Sequence, residues 1–494
     1  MRSDVNHVTK LPTGINGLDT VLEGGIPRGR MLTVSGTAGS GKTVLLNEFL
    51  YRGITEYGEN GVFVTFEEVP SDIVKNVGNF GWDYNKLLKE EKLLFVDLSP
   101  SMESIEEISE DYELSPIILR ITQAIHKIHA RRIVIDSIAS LFSQLSNQGK
   151  VRKLIYQLTQ ELKKMGLTGI ISSEQQGHRG ECEGGSVEEY VTDGVIQLKI
   201  VPGEQQLLRK MLVTKLRGVG YRSGFVQFAI TSKGLEVYPK IAVRRGVAKT
   251  SFTERKKMGV PGMDTALDGG IPQGHIVLIS GTTGSGKTLS ALQFLMEGIN
   301  RGEKGIYVAL EEPVQQLKKT ADIHGWDLSR HEEKGDFIFL SGDLIDPVPD
   351  KLLSDIVEAV ERSDAKRIIV DSISSIMSAT MGQEDVRQFM LQLANFLKSR
   401  GITGILTYLM SSNFGAEKNQ LLSSLETNTM RLSSVVDGVI LLQYVERERR
   451  VEKLLTVLKM RGCNHSKDIF KYTIEAGGLK LGERFGPAES VDTV

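Results

Sequence analysis

Gly36-Thr37-Ala38-Gly39-Ser40-Gly41-Lys42-Thr43 follows the apolar run 31–34 and precedes the helix-like stretch 44–50. Gly281-Thr282-Thr283-Gly284-Ser285-Gly286-Lys287-Thr288 follows 275–279 and precedes 289–296. Both octapeptides fit G-x-x-x-x-G-K-[ST] in the strand–loop–helix setting that the motif requires. Their glycines let backbone N–H groups curl around phosphates, and the following helix adds the positive end of its dipole. Lys42 and Lys287 reach the terminal phosphates, while the Thr43 and Thr288 hydroxyls serve as magnesium ligands. A single imperfect match would read as an ordinary glycine turn. Two complete ones in the right context imply two bound nucleotides per chain.

The octapeptides belong to a longer duplication. Glu67-Glu68 recurs as Glu311-Glu312, and the only two tryptophans recur in Gly81-Trp82-Asp83 and Gly325-Trp326-Asp327, each 244 residues apart. Asp136-Ser137 maps to Asp371-Ser372, Asp193-Gly194 to Asp437-Gly438, and Arg217-Gly218 to Arg461-Gly462, in the same order. An ordered set of such landmarks means two copies of one domain. The expected boundaries are 1–239 and 258–482, with a linker at 240–257 and a short tail at 483–494. That linker is basic, with Glu254 its only acid, and reads as a solvated strap or, alternatively, a DNA-binding arm.

Within the first copy, β-rich runs at 31–35, 61–66, 93–96, 132–135 and 168–172 alternate with stretches at 117–130 and 151–165 of three- and four-residue apolar spacing. Such alternation indicates βαβ units, an α/β fold and a mainly parallel sheet flanked by helices. The runs 194–201 and 206–216, like 439–444 and 452–459, look like a terminal antiparallel hairpin. The charged stretch 446–450 then reads as the hairpin turn, and the acidic segment 103–113 as a solvated surface insertion or a docking edge.

Bulk properties narrow the class. At 494 residues the chain can bury more than one core. Its 40% hydrophobic and 25% charged content suits a water-soluble globular protein. No apolar run approaches the roughly 18 residues needed to span a bilayer, and the N-terminus has no apolar signal core. Cys182 and Cys463 are too few for a disulfide framework and fit a cytoplasmic location. A net charge of −2 offers no global attraction to nucleic acid, and no Cys/His cluster has zinc spacing.

Nucleotide binding alone does not transfer phosphate. The reaction also needs a carboxylate near the metal, a group to position the nucleophile, and positive charge near the γ-phosphate. Asp136 and Asp371 end apolar strands and are expected to complete the magnesium site. Glu67, Glu68, Glu311 and Glu312 terminate the strand after each phosphate-loop helix, where α/β sheets present ligands. One of each pair is expected to orient or deprotonate the attacking group, the alternative being an acidic helix cap. Lys215 and Arg217, like Lys459 and Arg461, are spaced to lie on one side of a strand. They read either as a solvated strand edge or as catalytic cations for a neighbouring subunit's γ-phosphate.

Taken together, these motifs resemble the KaiC family, double-domain RecA-like ATPases and autokinases, over most of the chain from Leu11 to Leu481. The stretches 11–19, 61–68, 130–137, 441–446 and 459–462 carry the resemblance. It implies two tandem RecA-like P-loop NTPase domains, an N-terminal ATPase tier and a C-terminal autokinase tier, with magnesium and ATP at the subunit interfaces of a homohexamer. It also implies phosphorylation at Ser433 and Ser434, just before Asp437, with Glu311 as the activating carboxylate and Glu312 as the fallback. Here the phosphorylated pair is Ser-Ser rather than the family's Ser-Thr, and Asn428 replaces a nearby threonine. A KaiB-like protein is a candidate partner. One like KaiA is not expected, because most of the C-terminal extension is missing. Two other readings stay open: a RecA/RadA-like DNA-dependent ATPase and a nucleotide-gated scaffold without kinase activity. The segments 175–188 and 411–429 carry little of the basic and aromatic composition that DNA binding would favour.

Overall fold

The computed structural model describes residues 8–99, 115–137, 148–174, 191–202, 207–240, 250–341, 348–379, 383–410, 433–447 and 450–485. The segments 103–113, 175–188 and 411–429 lie outside the described residues, as do Cys182 and Asn428. The chain divides into two compact units that meet in sequence at Pro239 and Lys240.

Among the described residues, each unit builds a nine-stranded sheet. In the first, six strands run parallel in the order Gly194–Pro202, Met31–Gly36, Thr168–Glu174, Arg132–Asp136, Gly61–Thr65, Leu93–Asp97. Side chains alternate between the two faces of a strand, and both faces are covered, so these strands read as continuous apolar runs. Leu32, Val34, Phe63, Val134 and Ile170 pack on one side with the helix Lys42–Tyr57. Met31, Val62, Val64, Ile133, Ile135 and Ile171 pack on the other with the helices Ser115–Ile128 and Gln148–Lys164. The second unit repeats this plan around Ile276–Gly281.

Three expectations need correction. The antiparallel part is not a terminal hairpin: beyond Leu207–Leu216 the sheet adds Val226–Thr231 and Gly234–Tyr238, and beyond Arg450–Met460 it adds Ile469–Glu475 and Gly478–Arg484. These outer strands are short and amphipathic, so their alternation is diluted by turn residues. Ser251–Lys256, expected in the linker, is a strand paired with Ile271–Gln273, and its adjacent cations Arg255 and Lys256 form ion pairs with Asp268 and Glu303. Gly478–Arg484 also runs two residues into the expected tail.

A buried arginine locks each unit. Arg132, fully buried, forms an ion pair with Glu59 at 2.8 Å and donates to the carbonyls of Phe49 (3.0 Å) and Pro12 (2.8 Å). Its guanidinium lies 4.6 Å from the Phe49 ring centroid. Arg367 repeats this with Glu303 at 2.6 Å, the carbonyls of Phe294 and Lys257, and the Phe294 ring. Gly53 and Gly298 make room: a Cβ there would come within 2.3 and 2.4 Å of the arginine's Cδ.

The helix behind each phosphate loop is tied to the outermost hairpin by one side chain. Leu235 N donates to Glu48 Oε2 at 2.7 Å, and Leu479 N donates to Gln293 Oε1 at 2.8 Å, so a carboxyl in one unit stands where an amide stands in the other. Glu48 is 1% exposed, and burial pushes its pKa up to about 7 against the opposing pull of Leu235 N–H and Arg52. The folded state therefore holds a proton that the unfolded chain releases near 4.5. This stability is fully present below that pH and lost as pH rises through about 7, a total of roughly 3 kcal/mol. Glu48→Gln should raise the melting temperature of the first unit at pH 8 by several degrees, with the gap closing toward pH 5. An equal gap at every pH in thermal unfolding would refute this.

Candidate nucleotide and metal site

Each phosphate loop joins the end of a central strand to the start of a long helix. Gly39 and Gly41 adopt φ of 75° and 103°, and Gly284 and Gly286 φ of 76° and 92°, a region L side chains rarely enter. Gly41 is also crowded, since a Cβ would lie 2.9 Å from Ile230 Cδ1 of the outer hairpin. Lys42 curls back inside its loop and donates to the carbonyls of Gly36 (2.9 Å) and Thr37 (3.1 Å). Lys287 does the same to Thr282 at 2.9 Å. Burial lowers the Lys287 pKa, and the charges of Glu311 and Asp371 oppose that shift.

Asp136 and Asp371 are the last residues of their strands. Thr43 Oγ1 donates to Asp136 Oδ2 at 2.8 Å, bringing the loop threonine and the strand-end carboxylate together, and Ser172 Oγ donates to Asp136 Oδ1 at 2.5 Å. Asp371 receives the Thr407 hydroxyl on Oδ1 and Tyr307 OH, at 2.6 Å, on Oδ2. Ser172, Thr407 and Tyr307 were not singled out in the sequence. The available signal was a polar residue two or three positions from the end of an otherwise apolar strand.

The donor set fits magnesium, a hard cation that prefers oxygen ligands. Among the described residues no three His, Cys, Asp or Glu side chains cluster to hold a metal. A bound Mg²⁺ would thus rely on Thr43 or Thr288, with Asp136 or Asp371 beside it, and share the rest of its coordination with phosphate oxygens and water.

Glu67-Glu68 and Glu311-Glu312 follow the strands Gly61–Thr65 and Gly305–Ala309. They are not helix caps: the N-cap residues are Val69 and Pro313, and neither helix has a side-chain cap. Burial and then the negative charge of Asp136 raise the Glu68 pKa. Burial, Asp371 and Glu311 raise that of Glu312. In both units the second glutamate therefore sits in the field of the strand-end aspartate, and Glu311 sits in that of Lys287.

In the second unit the two cations reach one turn. Lys215 and Lys459 are on strands, but Arg217 and Arg461 lie just past the strand ends, and a bulge at the end of each hairpin breaks the register. Lys215 donates to Thr192 O at 2.6 Å. Lys459 donates to the carbonyls of Ser433 (2.7 Å) and Val436 (2.9 Å), and Arg461 to Ser434 O at 3.2 Å, with Asp437 at 3.5 Å. Lys459 and Arg461 thus have partners in their own unit, where they brace the turn before Asp437, and Lys215 bonds the segment before Asp193. That turn sits at the start of the loop strand, since Asp437 N donates to Ile276 O at 2.8 Å. The phosphate loop begins at the other end of the same strand, at Gly281, roughly 15–20 Å away.

A parallel sheet, a glycine loop at its carboxyl edge ending in Lys-Thr, and an aspartate closing a neighbouring strand define a P-loop nucleoside-triphosphatase, here present twice. A family model described as "ATPase: KaiC" matches residues 11–242 and 256–485. The chain belongs to that family of ATPases. It is 35% identical to the circadian clock oscillator protein KaiC of Picosynechococcus sp. over 487 residues, covering 99% of this chain and 92% of that one. It is similarly 35% identical to that of Nostoc sp. (98% and 91% covered) and 34% identical to the circadian clock protein KaiC3 of Synechocystis sp. (98% and 93% covered). Among the described residues no helix is long and apolar enough to cross a membrane.

Lys459→Met removes both hydrogen bonds that pin the carbonyls of Ser433 and Val436. Amide hydrogen exchange across 433–437 is expected to accelerate at least about tenfold, in line with the loss of charge-assisted bonds. Unchanged exchange there would show that the lysine does not hold the turn.

Proposed function

We propose that this chain is a magnesium-dependent ATPase in its first unit and a serine autokinase in its second, assembled as a cytoplasmic homohexamer with ATP between subunits. The observation that carries the reading is the position of the serine turn. Ser433, Ser434, Lys459 and Arg461 gather one strand length from their own phosphate loop, so ATP that reaches them is held by a neighbour. Lys459 and Arg461 then supply positive charge to the transferred phosphoryl group. A serine hydroxyl needs a carboxylate as base or orienter, and Glu311 takes that role, with Glu312 as its alternate. In the first unit, Glu67 or Glu68 directs water, and Lys215 and Arg217 face the adjacent site. Magnesium, when bound, offsets phosphate charge. Partner binding, for which a KaiB-like protein is a candidate, reads out the nucleotide and phosphate state. DNA has no role in this scheme.

Nucleotide held between chains stabilises the assembly by linkage. Lys42→Ala is expected to weaken ATP-dependent hexamer formation in size-exclusion chromatography with light scattering; an ATP-independent monomer in the unmodified protein would overturn the assembly.

Incubation with Mg-ATP followed by phosphopeptide mapping should find phosphate on Ser433, Ser434 or both. The signal should vanish in Lys287→Ala and fall about a hundredfold or more in rate in Glu311→Gln. Intact hexamers that consume ATP without labelling either serine would leave an ATPase and end the kinase assignment.

A further inference from the structure

The two strand-end aspartates each accept two hydroxyl hydrogen bonds, but from different sets of partners. Asp136 takes Ser172 and the phosphate-loop Thr43. Asp371 takes Thr407, the counterpart of Ser172, and Tyr307 in place of a loop residue. Tyr307 is third in the strand Gly305–Ala309, and Phe63 is third in Gly61–Thr65. Both rings are fully buried, and each packs on the ring of the edge strand, Phe63 on Phe95 at 5.3 Å and Tyr307 on Phe339 at 5.6 Å. The parallel register sets Phe63 beside Val134 and Tyr307 beside Ile369, each two residues before its aspartate and on the same face. The duplicated frames thus differ here by one oxygen atom, and that oxygen ends on a metal-side carboxylate. The phenol is the donor in this bond, since an ionised carboxylate can only accept.

A carboxylate oxygen that already accepts a buried phenol has less charge to offer another group. In the first unit the same oxygen accepts the Thr43 hydroxyl hydrogen, which leaves the lone pairs of the threonine oxygen available to a cation. We propose that Tyr307 is a positioning residue that claims the Asp371 oxygen equivalent to the one Thr43 uses, uncouples Asp371 from Thr288, and so gives the second site a weaker magnesium affinity than the first. This rests on the nucleotide reading above and adds to it a reason for the two sites to answer differently to one metal concentration.

The test is equilibrium binding of a fluorescent ADP analogue to the full-length chain across a magnesium titration, which involves no turnover. Lys42→Ala and Lys287→Ala assign the first-site and second-site phases. Tyr307→Phe is expected to lower the half-saturating magnesium of the second phase about three- to tenfold, less than a full charge-assisted hydrogen bond because Thr288 takes up the freed oxygen. The first phase should stay in place, and the shift should exceed any change in metal-free nucleotide affinity. Phe63→Tyr should raise the half-saturating magnesium of the first phase by a similar factor. A second phase that does not move in Tyr307→Phe, or two phases that move together, overturns the proposal. If Tyr307→Phe fails to fold by circular dichroism, Phe63→Tyr decides: an unmoved first phase is equally fatal. Nucleotide binding to the unmodified chain that ignores magnesium altogether would instead bring down the nucleotide–metal reading, and this proposal with it.

Discussion

Each unit depends on one buried guanidinium. Arg132 sits at the first position of the strand that ends in Asp136, yet its donors reach the helix that begins at Lys42 and the N-terminal segment at Pro12. The metal-side carboxylate and the phosphate loop are thereby fixed to a common point at the far end of the sheet. Burying such a charge is costly unless every donor finds an acceptor, and here Glu59, two carbonyls and a phenyl ring supply them. Removing the arginine alone would leave Glu59, among the described residues, with the half-exposed Arg28 as its ion-pair partner, a loss of about 3–5 kcal/mol. Arg367 anchors Asp371 in the same way through Nε and Nη1, its Nη2 finding no acceptor among the described residues, and its bond to the Lys257 carbonyl adds the segment that follows the inter-unit connection.

Much of this architecture was legible in the sequence because it obeys strong local rules. Phosphate loops need glycine at left-handed positions, and parallel strands covered on both faces need unbroken apolar runs, so Gly39, Gly41, Gly284 and Gly286 and the strands around them announced themselves. Asp136 and Asp371 were visible as charges closing such runs. The outer hairpins were not, since short amphipathic strands at a sheet edge share their composition with loops. Ser251–Lys256 was hidden for a related reason: a short strand paired with one of three residues leaves little pattern.

The site was legible in its residues more than in its bonding. Sequence spacing put Lys459 and Arg461 on one side of a strand, and both reach the serine turn, Lys459 from just past a bulge near Leu458 and Arg461 from just past the strand's end at Met460. Their actual partners, the carbonyls of the serine turn, are backbone atoms that no side-chain pattern encodes. The contrast between Tyr307 and Phe63 was present in the aligned copies, yet its meaning requires knowing that the ring's para position points at a carboxylate. The same holds for Glu48 and Gln293, which look interchangeable until burial separates a titrating group from one that cannot titrate.

The outer hairpin has one more consequence, which is entropic. Ile230 and Ile474 fill the space that a side chain at Gly41 or Gly286 would occupy, and Glu48 and Gln293 fasten the same hairpins to the helices that start there. A glycine-rich loop left to itself samples many backbone states, and closing it on a ligand would forfeit that freedom. Here the freedom is surrendered during folding, to an edge hairpin formed by the third and fourth strands out from the loop strand. The loop therefore meets its ligand already ordered, and binding free energy that would have gone into freezing it is retained as affinity.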